Sequence, residues 1–233
     1  MEALSKRINS LPVSATLAMA AKARELKNHG IDIIGLSLGE PDFNTPEFIK
    51  DAAVQAVNDN WNSYSPVDGY ADLKEAICKK FDRDNNLSYR PSQIVVSTGA
   101  KQSIANVCMV LLDPGDEVLL PAPYWVSYSA IATLAEAKST IIPSSIETDF
   151  KITPAQLEAA ITPRTKLIMF NSPNNPSGTI YTEDEYRALG KVLENYPEIY
   201  ILSDEIYEHI NYGTPHFSFA AIESLYDRTI TVN

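Results

Sequence analysis

Between Glu117 and Ser203, short apolar runs alternate with helical patterns of roughly ten residues, and that rhythm leaves few folds open. The runs 117–120, 139–142, 166–170 and 199–203 read as strands. Between them, 125–134, 154–161 behind a Thr153 cap and 183–195 behind a Thr182 cap read as helices. Strands joined through helices run parallel with right-handed crossovers, so the expected fold is α/β, a mostly parallel sheet flanked by helices. Upstream, 94–97 reads as a strand feeding a helix over 102–112, and 229–233 begins another strand. Nearer the start, 17–29 is helical and is stopped by Gly30. The run 31–38 is extended and ends in the turn Gly39-Glu-Pro-Asp-Phe43, and helices over 46–58 and 72–81 flank an aromatic loop from Trp61 to Tyr70. With 233 residues and 45% hydrophobic content, one large domain fits and a second would be crowded.

The strand ends carry the polar side chains. In an open parallel sheet, ligands sit in the crevice outside the carboxyl ends of the strands. The run 199–203 leads into Asp204-Glu-Ile-Tyr207, the run 166–170 into Asn171-Ser-Pro-Asn-Asn175-Pro-Ser-Gly178, and 94–97 into Thr98-Gly99-Ala100-Lys101-Gln102. The last places a residue without a side chain, the amides of a helix N-terminus and a lysine together, which suits a phosphate. Read alone, it is more simply a glycine turn opening a helix. GxxxxGK[ST] and GxGxxG are both absent, which removes the two commonest nucleotide readings, and GxSxG is missing too.

A buried carboxylate at a strand end, such as Asp204, favours the protonated form of an adjacent ring nitrogen. A pyridinium of that kind is an electron sink for a carbanion, the chemistry of pyridoxal phosphate. Tyr207 and Asn175 would then suit the ring's phenolic oxygen. Taken singly, 204–207 is as readily an acidic cap and 171–178 a Pro/Asn/Gly loop. Trp125, which follows Pro121-Ala-Pro-Tyr124, either stacks on a planar ring or packs in the core. Tyr64 sits in a polar loop able to reach a neighbouring subunit.

The net charge of −11 and pI near 4.7 argue against nonspecific nucleic-acid or anionic-membrane binding, although a local positive site for a small anion is compatible with them. Cys78 and Cys108 both fall in helical patterns among apolar neighbours. They read as buried free thiols, with no CxxC or Cys/His cluster for a metal, and point to a reducing compartment. His29, His209 and His216 have no ligand spacing and are read as surface or supporting residues. No apolar run approaches membrane-spanning length, and the start of the chain reads as an ordinary helix better than as a transit peptide.

Taken together, Gly39-Glu-Pro-Asp-Phe, Gly99-Ala-Lys-Gln, Leu112-Asp-Pro-Gly-Asp-Glu-Val118, Pro123-Tyr-Trp-Val-Ser-Tyr128, Asn171-Ser-Pro-Asn-Asn-Pro-Ser-Gly178 and Ser203-Asp-Glu-Ile-Tyr-Glu208 resemble the class I aminotransferases, which are fold-type I pyridoxal-phosphate enzymes. The resemblance runs in family order from about Val13 to Asn233, and within the family it is strongest to the bacterial-type aspartate aminotransferases. It implies that residues 46–233 form an incomplete cofactor-binding large domain, and that 1–45 is an N-terminal segment belonging to the small domain and the substrate site.

By the same resemblance Asp204 pairs with the ring nitrogen, while Tyr207 and Asn175 bond the ring oxygen. Gly99, Ala100 and Lys101 cup the phosphate and Trp125 stacks on the ring. Gly39, Trp125, Asn175, Lys101 and Thr16 meet the substrate, with Lys101 favouring the distal carboxylate of aspartate or glutamate. Tyr64 reaches the partner's cofactor, implying a cytoplasmic homodimer with shared sites. The implied reaction moves the amino group of L-aspartate to 2-oxoglutarate, with an aromatic, alanine or prephenate transaminase as the runner-up. The lysine to which the family binds its cofactor as a Schiff base is expected beyond Asn233. The chain therefore reads as truncated and inactive as it stands, or else as a lysine-free module of the same fold.

Overall fold

Each apolar run meets its neighbour in the sheet only after a helix has carried the chain back, so the sheet is wholly parallel. Its strands are β1 (Glu117–Pro121), β2 (Lys138–Ile142), β3 (Thr165–Asn171), β4 (Tyr200–Asp204) and β5 (Thr229–Val232), in spatial order β2-β1-β3-β4-β5. The helices are α1 (Lys6–Asn9), α2 (Ala15–Asn28), α3 (Glu47–Asn58), α4 (Ala71–Asn85), α5 (Ala100–Leu111), α6 (Ser127–Leu134), α7 (Pro154–Ala160) and α8 (Glu183–Leu193). The computed structural model describes residues 4–11, 15–36, 39 and 41–233, without the side chains of residues 15 and 16. Two compact units emerge, one of residues 1–11 with 68–233 and one of residues 12–67.

The strand order reverses once. From β1, α6 leads outward to β2; from β2, α7 leads back past β1 to β3, and α8 onward to β4. Right-handed crossovers in opposite directions put their helices on opposite faces. The packing follows this rule. Val118, Leu120, Leu167, Met169 and Leu202 pack with Ile104 and Cys108 of α5 and Ile131 and Ala132 of α6. The alternate residues Leu119, Ile168, Phe170 and Ile201 pack with Leu157 of α7 and Tyr186, Leu189 and Leu193 of α8. Burial on both faces is why the strands read as continuous apolar runs. Full burial of one such side chain contributes about 1.5–3 kcal/mol, so the two layers hold the strand ends rigidly.

Several sequence expectations shift. Asp204 is the last residue of β4, not the residue after it, because it is paired in the ladder with Asn171 on one side and Val232 on the other. Residues 94–97 are not a strand: an extended segment becomes one only through a ladder, and of these only the Val96 amide finds a backbone acceptor outside the local turn, Asp68 O at 3.1 Å. Helix α4 runs past Phe81, which is 5% exposed, and ends where Asn86 turns left-handed at φ 54°. Cys108 is buried but Cys78 only half-buried, and both are free. Leu38 and Glu40 of the expected extended run and its turn, and Val13 at the start of the resemblance, lie outside the described residues.

In the 12–67 unit, α3 has no buried residue and exposes Phe48, Val54 and Val57. Among the described residues no helix is long and apolar enough to cross a membrane.

Phe170 stacks on Phe219 with centroids 5.1 Å apart and meets Tyr181 and Tyr186 edge-on. Phe170→Ala should cost about 3–5 kcal/mol, read as a lower urea midpoint at unchanged slope. A loss below about 1 kcal/mol would mean that this aromatic group does not carry the layer.

Candidate active site

Strands β3 and β4 end level with one another, Asn171 opposite Asp204. Strand alternation turns both side chains toward the α5/α6 face. Asn171 Nδ2 donates to the Asp204 carbonyl at 3.0 Å, and its Oδ1 accepts from the Asn175 amide at 2.7 Å. Asn175 Nδ2 in turn donates to Tyr207 Oη at 3.4 Å. The loop after β3 is thereby laid across the turn after β4.

Asp204 is 3% exposed. Tyr128, in the first turn of α6, donates to its Oδ2 at 2.6 Å, and the Ile206 amide donates to Oδ1 at 3.3 Å. Burial pushes the Asp204 carboxyl above the usual carboxylate range, while the bonds from Tyr128 and Ile206 oppose that rise. Burial first, and the Asp204 charge next, drive the Tyr128 phenol above its ordinary value, so it remains a donor.

Beyond Tyr128 the contacts continue to a helix N-terminus. Trp125 meets Tyr128 edge-on with centroids 5.5 Å apart, and the Lys101 ammonium lies 4.8 Å from the centre of the Trp125 ring. Lys101 is in the first turn of α5, whose cap Gly99 has φ 85° with nothing within 4 Å of where a Cβ would stand. The first-turn amides of Ala100 and Lys101 have no acceptor within their own helix, and the helix dipole favours an anion there.

The structure thus links Asp204 to Trp125 and Lys101 through Tyr128, and to Asn175 and Tyr207 through Asn171, with Ala100 and Gly99 adjoining Lys101. The arrangement combines a buried carboxylate, which could pair with a cationic nitrogen, with a flat aromatic side chain and a helix N-terminus that could meet an anion. Gly39 and Tyr64 are exposed in the 12–67 unit, and Thr16 stands in the first turn of α2 with its side chain outside the described residues. Sequence reasoning gave no role to Tyr128 or Asn171. No local signal singles out Tyr128, whose partner Asp204 is 76 residues away.

His216, expected at the surface or in a supporting place, has a side chain 8% exposed and lies 2.9 Å from Glu205. His209 is exposed, as expected of a surface residue. Ligand atoms of Glu205, Glu208 and His216 lie within 4.8 Å of one another. The Lys80 ammonium already pairs with Glu208, so the chain supplies its own cation to that cluster.

Residues 31–233 match the family model for aminotransferase class I and II. The aspartate/prephenate aminotransferase of Nitrosomonas europaea is 50% identical over 232 residues, covering 99% of this chain and 58% of that protein. The aspartate aminotransferase of Bacillus subtilis is 49% identical, covering 99% and 59%. Among solved structures, the Thermus thermophilus aspartate aminotransferase with maleate is 41% identical with a TM-score of 0.94, covering 99% of this chain and 60% of that one. The chain therefore spans less than two thirds of the length of these relatives.

Tyr128→Phe deletes the donor that favours the charged form of Asp204, so the folded-state value of that carboxyl rises further above its unfolded value. The unfolded chains titrate alike, so this penalty is absent where Asp204 is protonated in both folded proteins and grows as pH rises through the raised folded-state value of the wild type. The stability gap to wild type should be smallest in acid and widen toward neutral pH, reaching about 1.5–3 kcal/mol in urea titrations. A gap independent of pH would show that the bond does not act on the carboxylate.

Proposed function

We infer the function from one premise: the chain belongs to the class I and II aminotransferases. Enzymes of this family use pyridoxal phosphate, and the reaction we propose is transfer of the amino group of L-aspartate to 2-oxoglutarate by a ping-pong mechanism. The observation that carries the reading is the Asp204 carboxylate, buried at a strand end with Oδ2 held by Tyr128 while Oδ1 has one long bond, 3.3 Å from the Ile206 amide. Oδ1 therefore keeps capacity for one more donor, as a protonated ring nitrogen requires.

The residues fit the cofactor. When bound, pyridoxal phosphate supplies the electron sink for the carbanion left when an amino acid loses its α-proton. Asp204 keeps the proton on the ring nitrogen, because its negative charge favours the cationic form of its partner. Tyr207 and Asn175, already in contact with each other, hydrogen-bond the ring's phenolic oxygen. Gly99, Ala100 and Lys101 offer the phosphate open space, free amides and a positive charge. Trp125 covers one ring face and excludes water.

For the substrate we propose Trp125, Asn175 and Lys101 as contacts, with Gly39, through its backbone, and Thr16 assigned to it from the family resemblance alone. Maleate, the ligand of the Thermus thermophilus neighbour, is a dicarboxylate, which supports pairing Lys101 with a distal carboxylate. Relatives named aspartate/prephenate aminotransferase support prephenate as a second acceptor with the same donor. We further propose a homodimer in which Tyr64 reaches the partner's cofactor phosphate, supported by the uncovered apolar side chains of α3. The division into an N-terminal segment, 1–45, and a large domain from 46 belongs to the same proposal. A cytoplasmic location suits two free cysteines, the Cys108 thiol being pushed up to about 12 by burial.

In the full-length protein, Asp204→Asn should lower turnover by at least about 10²-fold with an unchanged circular dichroism spectrum. Near-normal turnover would remove the electron-sink role. Lys101→Ala should raise KM for aspartate and 2-oxoglutarate by about tenfold while neutral amino acids change less than about twofold. Equal losses for both classes would end the case for a dicarboxylate substrate.

A further inference from the structure

Immediately after Asp204 stands a second buried acid that the chemistry above leaves unused. Glu205 is 0% exposed and, by strand alternation, projects to the face opposite Asp204, where Phe219 packs. Its Oε1 accepts from Ser203 Oγ and Ser218 Oγ, each at 2.8 Å, and from the Phe219 amide at 3.2 Å. Its Oε2 lies 2.9 Å from His216 Nε2. An ionised carboxylate only accepts, so Nε2 is the donating nitrogen by this network. Nδ1 of the same ring is buried and has no partner among the described residues, and Glu208 Oε2 is 3.9 Å from Nε2. The imidazole is thus committed to Glu205.

A residue needed at this point only to fill space would be apolar, since buried ionic groups are often replaced by hydrophobic ones of similar volume without loss of stability. What a carboxylate adds is direction. Four donors fix the Glu205 side chain, and its main chain is fixed as well: its amide donates to the Val232 carbonyl at 2.8 Å, and its carbonyl accepts from the Glu208 amide at 2.9 Å. Residue 205 is therefore held on every side while lying between Asp204 and Tyr207. Its charge also matters to Asp204, because burial foremost and the Glu205 charge in smaller part push the Asp204 carboxyl up.

We propose that His216 is a positioning residue for the ring-binding site: by holding the Glu205 carboxylate it fixes the turn that presents Asp204 and Tyr207. This rests on the functional reading above. His216 contacts neither Asp204 nor Tyr207 directly, and its effect passes through Glu205.

The test uses the full-length protein freed of cofactor, with pyridoxamine 5′-phosphate as the probe. Binding is read as equilibrium affinity and as the absorbance of the bound ring, which shifts with protonation of its nitrogen; urea midpoints are measured alongside. His216→Gln keeps an N–H donor near the position of Nε2, and His216→Phe keeps volume and deletes the donor. Ser218→Ala removes a different donor from the same carboxylate and carries the test if the phenylalanine variant does not fold. Leu157→Ala, in the core at α7, supplies a destabilised control.

Expected are affinity within about twofold of wild type for His216→Gln, a loss of about tenfold or more with a changed ring absorbance for His216→Phe, and a severalfold loss for Ser218→Ala. Wild-type affinity in His216→Phe and Ser218→Ala would overturn the proposal. So would losses no larger than Leu157→Ala shows for the same drop in urea midpoint. Failure of the wild-type protein to bind the probe would instead overturn the functional reading, and this inference with it.

Discussion

A carboxylate taken out of water must be met by donors or it does not stay ionised. At Asp204 those donors are the Tyr128 hydroxyl at 2.6 Å and the Ile206 amide at 3.3 Å, and neither is incidental to the fold. Tyr128 stands where it does because α6 packs on the face that Asp204 faces, and Ile206 because the chain turns as β4 ends. The sheet thus determines both where the acid sits and what satisfies it. Ladder pairing with Asn171 and Val232 removes the backbone freedom that a carboxylate on a surface loop would retain. The position is fixed before any ligand arrives.

The same topology explains why the other groups gather there. The order β2-β1-β3-β4-β5 reverses between β1 and β3, and at such a reversal the connections leave in opposite directions and open a crevice at the carboxyl ends. The turn after β1 delivers Trp125 and Tyr128, the loop after β3 delivers Asn175, and β4 delivers Asp204. Helix α5, on the same face as α6, brings its positive end to the Trp125 ring through Lys101. Side chains far apart in sequence meet because four separate strand or helix ends open on one edge of the sheet.

Much of this was legible. The alternation of runs and helices from Glu117 onward pointed to the parallel sheet, and the residues after its strands put forward Asp204, Asn175 and Trp125 as candidates, whereas Gly99 was reached from a run that forms no strand. The misses share a cause, namely contacts between residues distant in sequence. Residues 94–97 have the composition of a strand, but pairing depends on a neighbour that local pattern does not reveal. Tyr128 lies 76 residues from Asp204, and nothing in the helical period of α6 indicates which of its buried positions meets an acid. His216 lacked ligand spacing, yet it is buried because the chain after β4 returns to cover Glu205.

The pair Asp204-Glu205 shows why composition alone could not divide the labour between two neighbouring acids. Alternation sends them to opposite faces, and each face supplies a different number of donors. Glu205 receives three donors at Oε1 and one at Oε2, twice the number that Asp204 receives. Asp204 receives one short bond at Oδ2 and one long one at Oδ1. Four donors commit the Glu205 carboxylate to its own surroundings, whereas the Asp204 carboxylate, with two, keeps more accepting capacity. The proposal of Asp204 as the working acid therefore rests on hydrogen-bond accounting at two adjacent residues, and the two would exchange faces if the strand register slipped by one.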